Sequence, residues 1–384
     1  MPTEPTLPKA STSADAPADD TAGKLLLGPG PSPVAPRVMQ AMQAPMLSHL
    51  DPEMMAKLDD VRVRLRRTFT GDEHAFAFAV SGTGTAGMET AVANLVRPGA
   101  RAIAVVTGYF GDRHAQMLTR YGAGVSRVDV EWGRACDPAQ LEKALAAGAD
   151  VVTMVHAETS TGVLNPVAEL CRLARARGAR TIVDAVTSLG AHPVEAAAWG
   201  ADVVHSCSQK GLGAPSGLAP VMFSSDAIAR LKAEAADGPR RSFYFDLGLL
   251  RDYWIDRKYH HTISAPLIYA LHEALVAVED EGPEARWERH RRNHLALVDA
   301  LAALDLELLP PASERLWSLN AVKVPAGVDE AAIRRALLQD FRIEIGAGLG
   351  PLAGKIWRVG LMGSGSTREN VERLTAALRT LLRR

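Results

Sequence analysis

The residue with the greatest potential for covalent chemistry in this sequence is Lys210. It follows the strand-like run at 201–204 and comes directly before a glycine-rich turn. Burial penalises the charged form of an amine, so a lysine desolvated at the end of a buried strand has a lowered pKa. The neutral amine is a nucleophile toward carbonyl groups, as in Schiff-base lysines. The position therefore predicts carbonyl chemistry at Lys210, and a surface lysine in a loop is the alternative.

Polar residues also end two other predicted strands. Asp184 ends the apolar run 181–183, where a carboxylate needs a cation or several hydrogen-bond donors. An aspartate beneath a pyridine-type ring nitrogen keeps that ring protonated; a helix N-cap is the alternative. Thr159 lies in a run of hydroxyl residues after the strand 151–155. These hydroxyls either bond a ring oxygen or cap the following helix.

The segment 81–87 is predicted to bind a phosphate. It links a predicted strand to a predicted helix at 88–96, and it contains Thr83, Gly84 and Thr85. Backbone N–H groups at a helix N-terminus bind anions, and glycines allow the anion to approach closely.

The same glycines fit the dinucleotide fingerprint G-x-G-x-x-G, which makes a nicotinamide dehydrogenase an alternative. That site expects an acidic residue about 20 residues further on. The next predicted strand instead leads to Tyr109 and Phe110, which suit stacking on a flat ring, or core packing. The dehydrogenase is therefore less favoured but not excluded.

Alternating strands and helices position these residues. Strands are predicted near 76–80, 102–106, 125–130, 151–155, 181–185, 202–206 and 218–223, with helices between most of them. This alternation indicates an α/β fold with a mainly parallel seven-stranded sheet. Ligands of such sheets bind at the carboxyl ends of the strands, where the polar residues named above lie.

The last third of the chain has a different pattern. Residues 264–304 are predicted to be mostly helical, and strands near 306–309, 317–324, 341–345 and 356–361 follow, with helices at 329–339 and 367–382. We predict a disordered tail at 1–22, which is rich in Pro, Ala, Ser, Thr and Asp. We also predict a large domain at 23–275 and a smaller α+β domain at 276–384.

The composition is that of an ordinary globular protein. The 384 residues are 47% hydrophobic and carry a net charge of −1, so charge gives no argument for nucleic acid or membrane partners. Three isolated cysteines suit a reducing compartment, and the tail has neither the basic start nor the apolar core of a secretion signal. We expect a cytoplasmic protein that acts on small molecules.

Taken together, the motifs resemble those of the class V aminotransferases, which are fold-type I pyridoxal phosphate enzymes. The resemblance runs from Leu26 to Arg379 and is closest to the alanine–glyoxylate and serine–glyoxylate (serine–pyruvate) enzymes. Its motifs are Gly28-Pro-Gly-Pro31, Ser81-Gly-Thr-Gly84, Glu158-Thr-Ser-Thr-Gly162, Val183-Asp-Ala-Val-Thr-Ser188, Ser208-Gln-Lys210, Tyr259-His-His-Thr262 and Trp357-Arg-Val-Gly-Leu-Met362.

The resemblance implies pyridoxal 5'-phosphate as the cofactor. Lys210 would bind it as a Schiff base and shuttle protons, while Asp184 would pair with the ring nitrogen. Thr159 would contact the ring hydroxyl, and Phe110 would stack on the ring where the animal enzymes have tryptophan. The phosphate would be held by Thr83, Gly84, Thr85 and Gln209, together with Tyr259 and Thr262 from a second subunit of a homodimer.

For the substrate, the resemblance implies that Arg358 grips the carboxylate and that backbone near Gly30 closes over it. A buried structural ion pair is the alternative for Arg358. We see no second cation placed for a dicarboxylic substrate. We predict no metal site, because His260 and His261 would point apart on a strand and no third ligand is evident.

The predicted reaction is ping-pong transfer of an amino group from alanine or serine to glyoxylate. The alternatives within the fold are 2-aminoethylphosphonate and ureidoglycine transamination. Cysteine desulfuration is less favoured, because it needs a nucleophilic cysteine on a mobile loop and only Cys136 comes near that description. A nicotinamide-dependent dehydrogenase remains a distant alternative.

Overall fold

The computed structural model describes residues 23–234, 238 and 240–383. The tail predicted at 1–22 lies outside these residues. None of the helices in the described part of the chain is long and apolar enough to cross a membrane.

The first half of the chain contains β1 (Leu25–Leu26), α1 (Pro36–Ala41), α2 (Pro52–Thr68), β2 (Phe76–Ser81), α3 (Gly84–Leu95), β3 (Arg101–Val106), α4 (Tyr109–Arg120), β4 (Gly124–Asp129), α5 (Pro138–Leu145), β5 (Val151–Val155), β6 (Ala157–Glu158), β7 (Val163–Leu164), α6 (Val167–Ala176) and β8 (Arg180–Asp184). The second half contains α7 (Ala196–Trp199), β9 (Val203–His205), β10 (Leu218–Phe223), α8 (Ser225–Ala233), α9 (Leu247–Trp254), α10 (Ala265–Glu281), α11 (Pro283–Ala302), β11 (Leu319–Lys323), α12 (Glu330–Phe341), β12 (Ile343–Glu344), β13 (Gly346–Ala347), β14 (Ile356–Gly360) and α13 (Arg368–Leu382).

The central sheet has seven strands in the order β2-β10-β9-β8-β5-β3-β4. Only β10 runs antiparallel to its neighbours, which are β2 and β9. Helices cover the sheet, and the strands β5, β9 and β10 are buried along their whole length, as expected for a sheet covered on both faces. The predicted mainly parallel seven-stranded α/β fold is confirmed.

The smaller unit is built around the antiparallel strands β11, β14 and β13. Its hydrophobic cluster includes Trp357, Leu297 and Leu374, and also Leu25 and Leu27 from the start of the described chain. Strand β1 pairs with β12, so this N-terminal segment is attached to the C-terminal unit. The predicted domain division at 275/276 stays a prediction.

Two strand predictions in this unit are wrong in detail. Residues 306–309 form only an isolated bridge, between Leu308 and Val322, and prolines 310 and 311 follow, which cannot donate to a strand ladder. The strand predicted at 341–345 is shorter and is followed by a second one, since β12 ends at Glu344 and β13 begins at Gly346.

Candidate active site

A cavity of about 260 Å³ lies at the carboxyl ends of β5, β8 and β9. The structure brings together in it every predicted site residue except Tyr259 and Thr262. The cavity is lined by Pro29, Gly30, Thr83, Gly84, Thr85, Met88, Phe110, Arg113, Thr159, Asp184, Val186, Gln209, Lys210, Leu349 and Arg358.

Lys210 is only 7% exposed, and its amine meets hydroxyl groups. Its Nζ atom donates to Thr159 Oγ1 at 3.1 Å and to Thr187 Oγ1 at 3.3 Å, and these two hydroxyls also contact each other. Burial lowers the pKa of the Lys210 amine. The surface-loop alternative is therefore wrong, and the amine is held in place by two neutral partners.

The backbone at Gly30 packs directly over this lysine. Its φ angle is +115°, and a Cβ atom at Gly30 would lie 3.1 Å from both Cε and Cγ of Lys210. Only glycine allows both this conformation and this close approach. The segment before α1 thus forms a wall of the cavity beside the amine.

Asp184 is the last residue of β8 and is 2% exposed. Its Oδ1 atom accepts a hydrogen bond from the backbone N–H of Val186 at 2.8 Å. Burial raises the pKa of the carboxyl, whereas His114, that N–H group and Lys210 oppose the rise. The next helix, α7, begins only at Ala196 and has Glu195 as its N-cap, so the helix-cap alternative for Asp184 is wrong.

The N-terminus of α3 opens into the cavity. Thr83 is its N-cap residue, and no side chain caps the helix there. The first N–H groups of a helix have no partner within the helix, so this end offers donors to an anion. The side chain of Gln209 lines the same part of the cavity, and its Oε1 atom has no hydrogen-bond partner among the described residues.

The dinucleotide alternative does not fit this topology. Strand β2, which precedes the glycines, lies at one edge of the sheet, and β3 lies near the other edge. A dinucleotide fingerprint requires a βαβ unit whose two strands lie together in the sheet.

Helix α4 carries the aromatic wall of the cavity and a cation that sequence reasoning missed. The guanidinium carbon of Arg113 lies 4.9 Å from the centre of the Phe110 ring, and Nη1 donates to Thr85 Oγ1 at 3.0 Å. The only signal in the sequence was the i, i+3 spacing from Phe110, which places both residues on one helix face. Arg113 is therefore a second arginine of the cavity, whereas Arg358 alone was predicted there.

A second residue that was not predicted, Glu158, fixes the start of α4. One carboxylate oxygen accepts from the backbone N–H groups of Phe110 and Gly111, each at 3.2 Å. The other accepts from Ser160, through its N–H at 3.1 Å and its hydroxyl at 2.6 Å. Burial raises the pKa of Glu158, and the bonds from Ser160 oppose the rise. Glu158 thus positions Phe110 without lining the cavity.

We expect Glu158→Gln to destabilise the fold by about 2 kcal/mol, because an amide can accept at only one end and leaves buried N–H donors unpaired at the other. Urea unfolding measures the change. Glu169→Gln, at an exposed position on α6, is the matched control and should unfold like the wild type. Equal stability of Glu158→Gln and the wild type would contradict this account of the helix start.

Arg358 lies on β14 and is 7% exposed. Its guanidinium donates from Nε to the carbonyl of Ala347 at 2.6 Å and from Nη1 to the carbonyl of Thr159 at 3.4 Å. Burial lowers its pKa to about 10. Within the described ranges no carboxylate forms an ion pair with it, so the structural ion-pair alternative is not observed.

Tyr259 and Thr262 lie on the surface, outside the cavity. Tyr259 is 63% exposed and contacts His49, while His260 stacks on Phe243, which is 72% exposed. The prediction that His260 and His261 point apart on a strand is wrong. Residues 257–264 are irregular, and the Nδ1 atoms of the two rings lie 2.8 Å apart.

The chemistry of the donor set fits pyridoxal phosphate. The cavity combines a buried amine for its aldehyde, a carboxylate for its ring nitrogen, an aromatic face and an uncapped helix N-terminus for its phosphate. Fold and site together define a fold-type I pyridoxal phosphate enzyme.

Comparison with known proteins identifies the family. The sequence matches the family Aminotransferase class-V over residues 25–374. It is 41% identical to the alanine–glyoxylate aminotransferase of Nostoc sp., whose crystal structure superimposes with a TM-score of 0.91 over 100% of this chain and 98% of that one. It is 35% identical to the (S)-ureidoglycine–glyoxylate transaminase of Bacillus subtilis, over 94% of this chain and 91% of that protein. It is 37% identical to the alanine–glyoxylate aminotransferase of Oryctolagus cuniculus, over 94% and 93%.

The chain belongs to the class V aminotransferases. It is a transaminase that depends on pyridoxal phosphate and acts on small amino and keto acids. Its three cysteines are buried, and burial raises the pKa of each thiol, to about 12 for Cys136 and Cys171 and to about 11 for Cys207. A reactive thiolate for desulfuration is therefore not observed.

Proposed function

We propose that this protein transfers the amino group of alanine or serine to glyoxylate, giving glycine and pyruvate or hydroxypyruvate. The observation that carries the proposal is the placement of a single buried arginine, Arg358, in the same small cavity as the Lys210 amine. Two of the relatives named above transfer amino groups from alanine to glyoxylate, which supports this substrate pair.

The residues of the cavity would hold the cofactor in the following way. Asp184 would bind the ring nitrogen, Thr159 the ring hydroxyl, and Phe110 one face of the ring. The phosphate would lie at the N-terminus of α3, at Thr83, Gly84 and Thr85, with Gln209 beside it. Pyridoxal phosphate, bound at Lys210, supplies an electron sink for the carbanion at the substrate Cα.

Lys210 moves the proton. Because burial lowers its pKa, a larger fraction of the amine is neutral and free to take the proton from the substrate Cα. The hydroxyls of Thr159 and Thr187 orient Nζ through their hydrogen bonds. Gly30 keeps the backbone close to the lysine side chain and so helps to exclude water from the reacting atoms.

Arg358 would bind the substrate carboxylate. A guanidinium offers two parallel N–H donors to a carboxylate, and the bonds to Ala347 and Thr159 fix its plane. Leu349 and Pro29 line the same cavity and leave a small apolar space. This arrangement favours the short monocarboxylates alanine, serine and glyoxylate.

Arg113 would act at the other end of the cavity. Its bond to Thr85 places the second guanidinium beside the predicted phosphate site. We therefore assign its charge to the cofactor phosphate rather than to a second carboxylate of the substrate.

The active site would be completed by a second copy of this chain. Tyr259 and Thr262 are exposed, and the exposed aromatic residues Phe243 and Tyr244 contact His260, which lies between them in the sequence. An exposed aromatic patch of this kind marks a protein interface. In a homodimer, Tyr259 and Thr262 of one subunit would reach the phosphate of the other.

We expect two inactive variants to complement each other in such a dimer. Lys210→Ala and Tyr259→Ala protein, co-expressed with different affinity tags, should form hybrids in which one site has both residues intact. Activity of the doubly tagged dimers should then reach about half of the wild-type value, because each has one good site of two. Doubly tagged dimers as inactive as Lys210→Ala alone would contradict the shared site.

A second candidate, ureidoglycine–glyoxylate transamination, is favoured by the relative from Bacillus subtilis. It uses the same acceptor and differs in the amino donor. The cytoplasmic location stays a prediction.

The donor is identified by spectroscopy on the purified protein loaded with pyridoxal phosphate. We expect its yellow absorbance band to fade when alanine or serine is added and to return with glyoxylate, and glycine to be formed. 2-Aminoethylphosphonate should leave the band unchanged. A band that responds to ureidoglycine but to neither alanine nor serine would favour the second candidate. No response to any of these donors would contradict the proposal.

A further inference from the structure

Two buried histidines lie close to Asp184 without lining the cavity, and the proposed mechanism gives them no role. His114 and His205, here called the histidine pair, are both 0% exposed. Their Nε2 atoms are 3.4 Å apart, and His205 Nε2 lies 3.9 Å from Asp184 Oδ2. In the described part of the chain, these three residues form the only close cluster of His, Cys or acidic side chains with metal-binding geometry.

The fold builds this cluster from three elements, which are β8, β9 and α4. In the parallel ladder between β8 and β9, His205 is the partner of Asp184, so the two side chains lie on the same face of the sheet. His114 is on α4, one turn after Phe110, and α4 packs on that face. The helix that carries the aromatic wall of the cavity therefore also carries one histidine of the pair.

The hydrogen-bonding atoms of the histidine pair are poorly satisfied for residues with a purely structural role. The Nδ1 atoms of both rings are buried and have no hydrogen-bond partner among the described residues. Burial lowers the pKa of each histidine to about 3, so both are neutral near pH 7. A buried polar atom without a partner costs free energy, and an apolar pair of the same size would avoid that cost. Such a local conflict is typical of a functional site.

Only one proton fits between the two facing Nε2 atoms. If His205 carries it, the N–H group can point toward the Asp184 carboxylate, and His114 Nε2 stands behind as a second acceptor. A carboxylate is a stronger acceptor than a neutral imidazole, so this tautomer is favoured over the reverse. The free oxygen of Asp184 then faces an N–H dipole, while its other oxygen is bound to Val186 N.

We propose that His205, with its tautomer set by His114, is a positioning residue that keeps Asp184 ionised and oriented toward the ring nitrogen of the cofactor. The inference rests on the proposed role of Asp184. The other charged groups near Asp184 do not replace the pair. Lys210 is the residue that binds the cofactor, and Arg113 is partly exposed and bonded to Thr85.

The test compares two amides of different length. In His205→Gln the terminal amide can occupy the position of Nε2, near Asp184. In His205→Asn the shorter side chain extends only as far as the position of Nδ1. Cofactor-free protein is titrated with pyridoxal phosphate, and affinity and the visible absorbance maximum are recorded. We expect His205→Asn to bind about tenfold more weakly, with a shifted maximum, and His205→Gln to stay close to the wild type.

A cofactor analogue distinguishes a positioning role of His205 from a role in folding. Deazapyridoxal phosphate has carbon in place of the ring nitrogen and cannot form the bond to Asp184, so a residue that acts through this bond should not weaken its binding. Wild type and His205→Asn should bind it equally well. Equal loss of affinity for both ligands would mean a general structural defect and would overturn the inference. If His205→Asn does not fold, His114→Asn, which removes the acceptor that sets the tautomer, is measured in the same way.

Two further outcomes would count against the positioning role of His205. Unchanged affinity and absorbance in His205→Asn would overturn the inference even if turnover fell. Divalent metal retained stoichiometrically by the cofactor-loaded protein would overturn it as well, because the imidazoles would then be ligands. Failure of the proposed role of Asp184 looks different, because Asp184→Asn would then bind pyridoxal phosphate with the affinity and absorbance maximum of the wild type. Failure of the proposed function would appear as no response of the cofactor band to the amino donors, with the binding results unchanged.

Discussion

Lys210→Ala is expected to reduce transamination by at least about a thousandfold, because the protein loses both its covalent attachment point and its proton carrier. The fold should persist, since Nζ has hydrogen bonds only to the hydroxyls of Thr159 and Thr187 among the described residues. Steady-state rates with alanine and glyoxylate measure the effect. The yellow band of the protein should disappear, although pyridoxal phosphate can still bind without a covalent bond.

The control for this prediction is Lys323→Ala. Lys323 is exposed on β11 and pairs with Glu307, away from the cavity, so its removal should leave the rate unchanged. A Lys210→Ala protein that kept normal turnover would remove the central residue of the proposed mechanism.

Arg358→Gln is expected to lower kcat/KM for alanine and for glyoxylate by about a hundredfold, because a charge-assisted bidentate contact with the carboxylate is lost. The loss should lie mainly in KM, since the residue acts on binding and not on proton transfer. Affinity for pyridoxal phosphate should stay unchanged, as Arg358 has no assigned contact with the cofactor.

Arg358→Lys tests the geometry rather than the charge. A lysine keeps a cation but offers a point charge in place of the planar fork, so its kcat/KM should fall between those of Gln and Arg. Arg368→Gln, at an exposed position of α13, is the control and should behave as wild type. Full activity of Arg358→Gln with both substrates would contradict the carboxylate role.

The parts of the site that follow strands were predictable from sequence. Asp184 comes directly after an apolar run, and Thr159 and Lys210 each follow one within a few residues. Parallel strands bring such ends to one edge of the sheet. Thr83 to Thr85 were predictable in the same way, because a glycine-rich turn after a strand begins a helix. The order of strands, turns and helices along the chain was enough to predict these residues.

Sequence reasoning missed the residues whose roles depend on how one element is rotated against another. Glu158, Arg113 and the histidine pair all depend on where α4 lies over the sheet, and no spacing within the sequence states this. His260 and His261 were treated as neighbouring positions on a strand, which would have kept their rings apart. Their rings meet because residues 257–264 are irregular.

The most direct test of the central claim is chemical labelling of the cofactor site. Borohydride reduces the C=N bond between pyridoxal phosphate and a lysine to a stable amine, which peptide mass spectrometry then locates. The account predicts the modification on Lys210, and less of it after prior incubation with alanine, which removes the cofactor from the lysine. Modification of a different lysine, or none in protein that holds the cofactor, would contradict it.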